Sequence, residues 1–129
     1  KKYHANIIGG SYAVRPAKKG AENENTHEKV YNRCLVMNRN GEMVGFYDKI
    51  HLFDAFGVKE SDTFLSGSQL GLFQLDIGKV GVWICYDTRF PEIARTLRAN
   101  SAEILCVPAA FLQSECRPVG YYCKVISNL

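Results

Sequence analysis

The sequence predicts one domain of the α/β class, and three observations support that prediction. Residues 80–85, 91–100 and 103–107 follow one another as an apolar strand, a helix and a second apolar strand, the pattern of a layered α/β sheet. The Asn40-Gly41 pair between two strand-like runs predicts an additional hairpin. The length of 129 residues is enough for a single domain with a real core.

The first half of the chain is predicted to form strands and loops. Residues 5–10 fit a short strand that ends in glycine, and residues 15–29 are polar enough to form an exposed loop. Residues 30–37 and 42–47 are the two strands that the Asn-Gly turn connects. These runs therefore predict a β-rich first half.

The second half of the chain carries the strand–helix–strand unit. Residues 49–71 break the strand pattern and predict a long loop, which in a compact domain is usually functional or disordered. Residues 72–75 and 80–85 are predicted to pair as a second hairpin. Pro91 suits the first position of the helix, and the continuous apolar run at 104–107, within the strand predicted at 103–107, indicates a strand that is covered on both faces.

Composition and charge exclude several classes of partner. Hydrophobic residues make up 47% of the chain and charged residues 22%, and the net charge of +3 is not concentrated on any stretch, so we expect no nucleic-acid partner. No apolar run approaches the roughly 20 residues that span a bilayer, so we expect no membrane partner. The five cysteines are odd in number and contain no C-x-x-C pair, which favours a reducing, cytoplasmic location and no metal site.

Cys85 is the first candidate for chemistry. It ends the predicted strand at 80–85 and precedes the helix that begins at Pro91, and α/β proteins often hold a nucleophile at such a strand–turn–helix junction. An activated thiolate there could attack a carbonyl or nitrile carbon. The alternative is a buried cysteine that packs as a small hydrophobic residue. The pattern by itself leaves both interpretations open.

Charged residues near the predicted loop are the other candidates. Lys49 at a strand end is either a solvated tip or a fixed ammonium that stabilises an oxyanion. His51 could be the general base of a Cys–His pair or a structural residue. Of the carboxylates, Glu60 lies in the loop after Lys49, Glu92 suits the helix dipole, and Asp87 could simply close the turn after Cys85.

Three motifs follow one another along the chain: Tyr47-Asp48-Lys49-Ile50-His51-Leu52-Phe53-Asp54, Glu60-Ser61 and Gly81-Val82-Trp83-Ile84-Cys85-Tyr86-Asp87-Thr88-Arg89-Phe90-Pro91-Glu92. Gly9-Gly10-Ser11, Tyr31-Asn32 and Pro108-Ala109-Ala110-Phe111 fit the same pattern. This ordered set, over about Ile7 to Phe111, resembles the carbon–nitrogen hydrolase (nitrilase) superfamily. The Lys-Ile-His-Leu-Phe-Asp form is most similar to the omega-amidase-like branch.

The resemblance implies a fold, a site and a mechanism. The fold is part of an α-β-β-α four-layer sandwich that assembles into homo-oligomers, and the family uses a Glu-Lys-Cys triad without metal or organic cofactor. Cys85 would be the nucleophile, Lys49 the oxyanion-stabilising cation and the Tyr86 backbone N–H the second oxyanion donor. Glu60 matches a further active-site glutamate that positions substrate or supports the lysine. The family's general base, a glutamate upstream of the Gly-Gly-Ser element, would fall before Lys1.

The expected activity is hydrolysis of a small carboxylic-acid amide through a cysteine thioester, with release of ammonia. Residues 1–129 are then a single partial domain with a divergent tail at 112–129, and we expect the isolated chain to be inactive and to self-associate. Two alternatives remain open. One is a non-catalytic assembly domain that retains part of the fold, and the other is a Cys–His hydrolase of another family that uses His51.

Overall fold

A computed structural model describes residues 4–16 and 29–109, together with the backbone of two short strands near the C-terminus. The predicted tail at 112–129 therefore lies almost entirely outside the described residues, as does most of the loop predicted at 15–29. The strands are β1 Ile7–Ile8, β2 Tyr12–Val14, β3 Val30–Met37, β4 Met43–Asp48, β5 Asp54–Ala55, β6 Val58–Lys59, β7 Phe64–Leu65, β8 Gly71–Leu75, β9 Gly78–Val82, β10 Ile104–Cys106, β11 Pro108–Ala109, β12 Tyr122–Cys123 and β13 Ile126–Ser127. Helix α1 spans Pro91–Ala99, and two 3₁₀ helices span Glu60–Asp62 and Cys85–Arg89.

The first sheet is built around β3. Strands β1 and β2 pair antiparallel with one edge of β3, while β4 pairs antiparallel and β7 parallel with the other edge. Gly41 closes the turn between β3 and β4, because its N–H donates to Asn38 C=O at 2.9 Å and its φ of +79° suits glycine. The predicted Asn-Gly hairpin is confirmed, whereas strand β2 was not predicted.

The second sheet contains the strand–helix–strand unit. Its order is β8-β9-β10-β13, with β8 antiparallel to β9, β9 parallel to β10 and β13 antiparallel to β10. Helix α1 connects the two parallel strands, so the predicted unit is confirmed. The strand predicted at 80–85 is wrong at its end, because β9 stops at Val82 and the chain turns into a 3₁₀ helix at Cys85.

The two sheets pack face to face, and α1 covers the outer face of the second sheet. A Cβ on Gly45 would lie 2.7 Å from the Phe73 ring, so the absence of a side chain lets β4 and β8 approach closely. Gly81 likewise leaves room for Leu97 of α1, whereas Val80 and Val82 point to the opposite face, toward the first sheet. The described residues thus form three consecutive layers, α-β-β.

The segment between β4 and β8 is more ordered than predicted. Instead of one long loop it contains the hairpin β5–β6, the 3₁₀ helix Glu60–Asp62 and strand β7. Strand β7 extends the first sheet by pairing with Val30 and Tyr31, and Gly67 N–H donates to Lys49 C=O at 2.8 Å. These bonds hold the segment after Lys49 against the sheet edge.

Candidate active site

Cys85 lies at a strained turn between β9 and α1. It is the first residue of its 3₁₀ helix and has a φ of +47°, a region that residues with a Cβ adopt at a cost of about 1–2 kcal/mol. Such strain persists only where the surrounding structure holds it in place, and it is concentrated at functional sites. The side chain is half-buried between rigid elements. The junction predicted from sequence is therefore present, although the strand itself ends three residues earlier.

The backbone N–H of Tyr86 lies at the start of the same 3₁₀ helix. The first hydrogen bond of this helix runs from Asp87 N–H to Ile84 C=O at 3.1 Å. The N–H of Tyr86 precedes that bond, so the helix itself supplies no acceptor for it. This geometry suits a donor to an oxygen atom that approaches Cys85 from outside the helix.

Lys49 is a buried cation paired with Glu60. Its side chain is 2% exposed, and Nζ lies 2.6 Å from Glu60 Oε2. The same Glu60 oxygen accepts the N–H of Phe53 at 2.7 Å, which fixes the carboxylate. The solvated-tip interpretation of Lys49 is therefore wrong: a buried ammonium requires a partner, and Glu60 provides one of the three acceptors that it can use.

Asp87 connects the two segments that carry Lys49 and Cys85. Its side chain is 0% exposed, and Oδ2 accepts Tyr47 O–H at 2.8 Å and Ile84 N–H at 3.0 Å. Its Oδ1 accepts the backbone N–H of His51 at 2.8 Å and lies 2.9 Å from His51 Nδ1. Asp87 does close the turn after Cys85, as predicted, but it also bonds to residues on both sides of Lys49.

Tyr47 is locked in the donor role toward Asp87. Burial, and after it the negative charge of Asp87, raise the pKa of the Tyr47 phenol well above its usual value. The phenol therefore keeps its proton and donates it to the carboxylate, while its oxygen accepts Ile50 N–H at 3.3 Å. Tyr47 thus ties the backbone next to Lys49 to Asp87.

Aromatic rings surround the turn at Cys85. The His51 ring stacks on Phe90 with centroids 3.6 Å apart, and Tyr86 makes edge contacts with Phe53 at 5.0 Å and Phe90 at 5.7 Å. Sequence reasoning missed this cluster, because each ring alone is an ordinary apolar residue. The rings pack the lysine loop against the start of α1.

The described residues offer neither a cluster of metal ligands nor a membrane-spanning helix. In residues 4–16 and 29–109 no three His, Cys, Asp or Glu side chains gather as a metal would need. The only α-helix in those ranges, α1, has nine residues, and none of the described helices is long and apolar enough to cross a membrane. Glu92, the remaining candidate carboxylate, is exposed and pairs with Arg95 at 3.1 Å on the surface of α1.

Comparison with known proteins now gives the class. The Carbon-nitrogen hydrolase family matches residues 1–121. The chain is 35% identical over 116 residues to a chloroplastic omega-amidase of Arabidopsis thaliana, covering 86% of this chain and 29% of the relative. It is 41% identical over 97 residues to a deaminated glutathione amidase of Dictyostelium discoideum, covering 70% and 33%. The chain belongs to the carbon–nitrogen hydrolase family, a family of enzymes, and the resemblance identified from sequence is confirmed.

Solved structures agree with this assignment. Saccharomyces cerevisiae Nit3, of the nitrilase superfamily, matches with a TM-score of 0.71 and 29% identity, covering 88% of this chain and 37% of that one. The Caenorhabditis elegans NitFhit protein matches with the same TM-score at 27% identity, covering 87% and 27%. The predicted fold, part of an α-β-β-α sandwich, is confirmed. This chain spans about a third of the length of the curated relatives it matches.

Proposed function

We propose that this chain supplies the nucleophile and the oxyanion-binding groups of an amidase that converts a small carboxylic-acid amide into the acid and ammonia. The observation that carries the proposal is the buried Lys49 ammonium, on a segment bonded through Asp87 to the turn that holds Cys85. Acyl transfer needs a nucleophile and a group that stabilises the oxyanion, and a cysteine and a fixed cation on two segments joined by one carboxylate can supply both. The names of two relatives, an omega-amidase and a deaminated glutathione amidase, support an amide substrate.

The proposed chemistry is covalent and balanced by proton transfers. The Cys85 thiolate attacks the amide carbon, a C–S bond forms, and the carbonyl electron pair moves onto oxygen. Lys49 Nζ and Tyr86 N–H stabilise that oxyanion. Its collapse breaks the C–N bond, and the nitrogen leaves as ammonia after taking from the general base the proton that the base removed from the Cys85 thiol. Water then attacks the thioester and gives a proton to the base, the C–S bond breaks, and the carboxylic acid and the Cys85 thiolate are released.

The general base is not assigned to a residue of this chain. Glu60 is already bonded to Lys49 and to Phe53 N–H, so its proposed role is to hold the ammonium in place. We propose that residues 1–129 are one part of a longer domain and that the remainder carries the base. The chain's coverage of about a third of its relatives supports this proposal. We further propose that the complete protein is a homo-oligomer.

The test measures ammonia release by the full-length protein that contains this chain, on a panel of short carboxylic-acid amides. We expect turnover in the wild type, none above background in Cys85→Ala, and an acyl–enzyme mass on Cys85 during turnover. Lys49→Ala should lower kcat by about 10²–10³, the usual effect of losing one oxyanion donor. Turnover retained in Cys85→Ala would contradict the covalent mechanism.

One contact favours a second candidate, a Cys–His hydrolase. His51 Nδ1 lies 2.9 Å from Asp87 Oδ1, which is the pairing that orients the histidine base in a nucleophile–His–Asp triad. The two candidates differ in which residue matters more. An amidase of the proposed type loses more activity in Lys49→Ala than in His51→Ala, whereas a Cys–His hydrolase shows the reverse order. A non-catalytic assembly domain would show neither loss and no preferential alkylation of Cys85.

A further inference from the structure

Asp87 takes no part in the proposed chemistry, yet it is the one wholly buried carboxylate among the described residues. Its hydrogen-bond donors come from two separate parts of the chain. Tyr47 and His51 lie two residues before and two residues after Lys49, and Ile84 directly precedes Cys85. A buried carboxylate with this many donors is held firmly, because each bond to a charged group is stronger than a neutral one.

We infer that Asp87 is a positioning residue that fixes Lys49 relative to Cys85, an inference that rests on the proposed function of those two residues. Neither segment is held to the other by a continuous element. Lys49 follows the last residue of β4 in the first sheet, and Cys85 follows β9 in the second. The Asp87 carboxylate binds both segments at once, so it determines where the ammonium lies when a tetrahedral oxyanion forms on the cysteine.

The same carboxylate also holds the strained turn. Asp87 Oδ2 accepts the N–H of Ile84, the residue immediately before Cys85, at 3.0 Å. This bond keeps the chain from continuing as a strand and fixes the positive φ of Cys85. Without it the turn can relax toward an extended backbone, and the Sγ atom and the Tyr86 N–H both move. One side chain thus sets three parts of the proposed site.

Asp87→Asn is the sharpest perturbation. An asparagine keeps the volume but has only one oxygen, so its NH₂ group must face either the side of Tyr47 and Ile84 or the side of His51. A backbone N–H cannot accept a hydrogen bond from that NH₂ group. The bond to Ile84 N–H or the bond to His51 N–H is therefore lost, while the packing around the side chain is retained.

The experiment measures the reactivity of Cys85 directly, in the full-length protein that contains this chain. Alkylation by iodoacetamide is followed from pH 5 to 10 by mass spectrometry of the Cys85 peptide, in the wild type, Asp87→Asn, Lys49→Ala and the double variant. We expect Asp87→Asn to slow alkylation at pH 7 by about tenfold, because the Cys85 sulfur loses a well-placed cation. The double variant should be no slower than the slower single variant, because Asp87 acts through the placement of Lys49.

Asp48→Asn is the matched control. Asp48 precedes Lys49 and binds Arg33 through two hydrogen bonds of 2.7 and 2.8 Å, but it has no bond to the turn at Cys85 among the described contacts. Its replacement should lower stability and leave the alkylation profile of Cys85 unchanged. If Asp87→Asn does not fold, Tyr47→Phe decides, since it keeps the ring and removes one bond to Asp87; it should shift the profile in the same direction by a smaller amount.

Three results would overturn the inference. The first is a wild-type alkylation profile in Asp87→Asn, or in Tyr47→Phe where that variant decides. The second is a double variant in which the two reductions of the alkylation rate multiply. The third is a larger reduction of that rate in His51→Ala than in Asp87→Asn, which assigns the contact to a Cys–His triad. Ammonia release separates this inference from the proposed function. A wild type that hydrolyses no amide contradicts the amidase proposal, whereas the alkylation profiles still decide the role of Asp87.

Discussion

Replacing Glu60 should expose how strongly the site depends on one buried ion pair. The Lys49 side chain is 2% exposed and the Glu60 side chain 20%, with 2.6 Å between Nζ and Oε2. Glu60→Gln keeps an oxygen that can accept from Lys49 and from Phe53 N–H, so the variant removes the negative charge and little else. Lys49 then remains as a buried cation without a counter-charge.

The expected magnitude follows from this burial. Removing one member of a fully buried pair typically costs about 3–5 kcal/mol of stability. The Glu60 side chain is partly exposed, so water at that position can partly solvate the uncompensated Lys49 ammonium. We therefore expect Glu60→Gln to lower the free energy of unfolding by about 2 kcal/mol. Adding Lys49→Met removes the unpaired cation as well, and the double variant should recover at least about 1 kcal/mol of that loss. Stability should thus recover while catalytic activity does not.

Urea unfolding of the full-length protein that contains this chain measures the effect, with the free energy extrapolated to water. Glu92→Gln is the control, because Glu92 and Arg95 form a pair whose side chains are about 70% exposed, and such pairs contribute less than about 0.5 kcal/mol. The reasoning is refuted if Glu60→Gln is as mild as Glu92→Gln. It is also refuted if the double variant Glu60→Gln, Lys49→Met is less stable than Glu60→Gln by as much as Lys49→Met alone is less stable than the wild type.

Three other predictions follow from the structure. Gly67→Ala should lower stability by about 1–3 kcal/mol and reduce turnover, because its Cβ would overlap the Asp48 carbonyl oxygen. Gly9→Ala is the control, since its Cβ would lie 3.5 Å from the nearest atom, and thermal unfolding should show almost no effect of that change. The hydrogen bonds from Ser61 hold the pKa of Asp54 below its ordinary value of 3.8. Their contribution to stability is therefore fully present above pH 3.8 and is lost as the pH falls through the lower pKa of the folded state. NMR titration of the Ser61 amide should show this transition in the wild type and not in Asp54→Asn. The isolated 129-residue chain should self-associate in sedimentation experiments, and a compact monomer would contradict this expectation. The same chain should release no ammonia above the Cys85→Ala background, and measurable release would contradict the proposal that the base lies elsewhere.

The sequence predicted correctly those elements that are determined by a few neighbouring residues. The Asn-Gly turn, the proline at the start of α1 and the apolar run of β10 each depend on a few neighbouring residues, and each lies where the sequence indicated. The end of β9 was predicted wrongly for the converse reason. Trp83 and Ile84 are apolar and buried like strand residues, but a hydrogen bond to the Asp87 side chain turns the chain there.

The candidate site could be predicted only in part from the sequence. Cys85 and Lys49 stood out by their positions, and Glu60 was one of several candidate carboxylates. The family resemblance gave Glu60 a role and added the backbone N–H of Tyr86. The role of Asp87 as a connection could not be derived, since its contacts to His51 and Tyr47 join residues 36 and 40 positions apart. The sequence contains only one signal for this role of Asp87. It is the spacing of an acidic residue two positions after Cys85, together with an aromatic ring two positions before Lys49 and an imidazole ring two positions after it.

The candidate site contains two unfavourable features, a strained backbone at Cys85 and a buried cation at Lys49, and both depend on carboxylates. A left-handed Cys85 costs about 1–2 kcal/mol, and a buried ammonium costs several more if it is unpaired, against a total stability of about 5–15 kcal/mol for a typical domain. Glu60 offsets the charge of Lys49, and Asp87 offsets the strain at Cys85. Because Asp87 also bonds to the segment that carries Lys49, the strained backbone and the buried cation are stabilised by one connected network. A change that weakens this network should therefore lower stability and activity together, whereas removal of the Cys85 thiol alone should abolish activity without destabilising the fold.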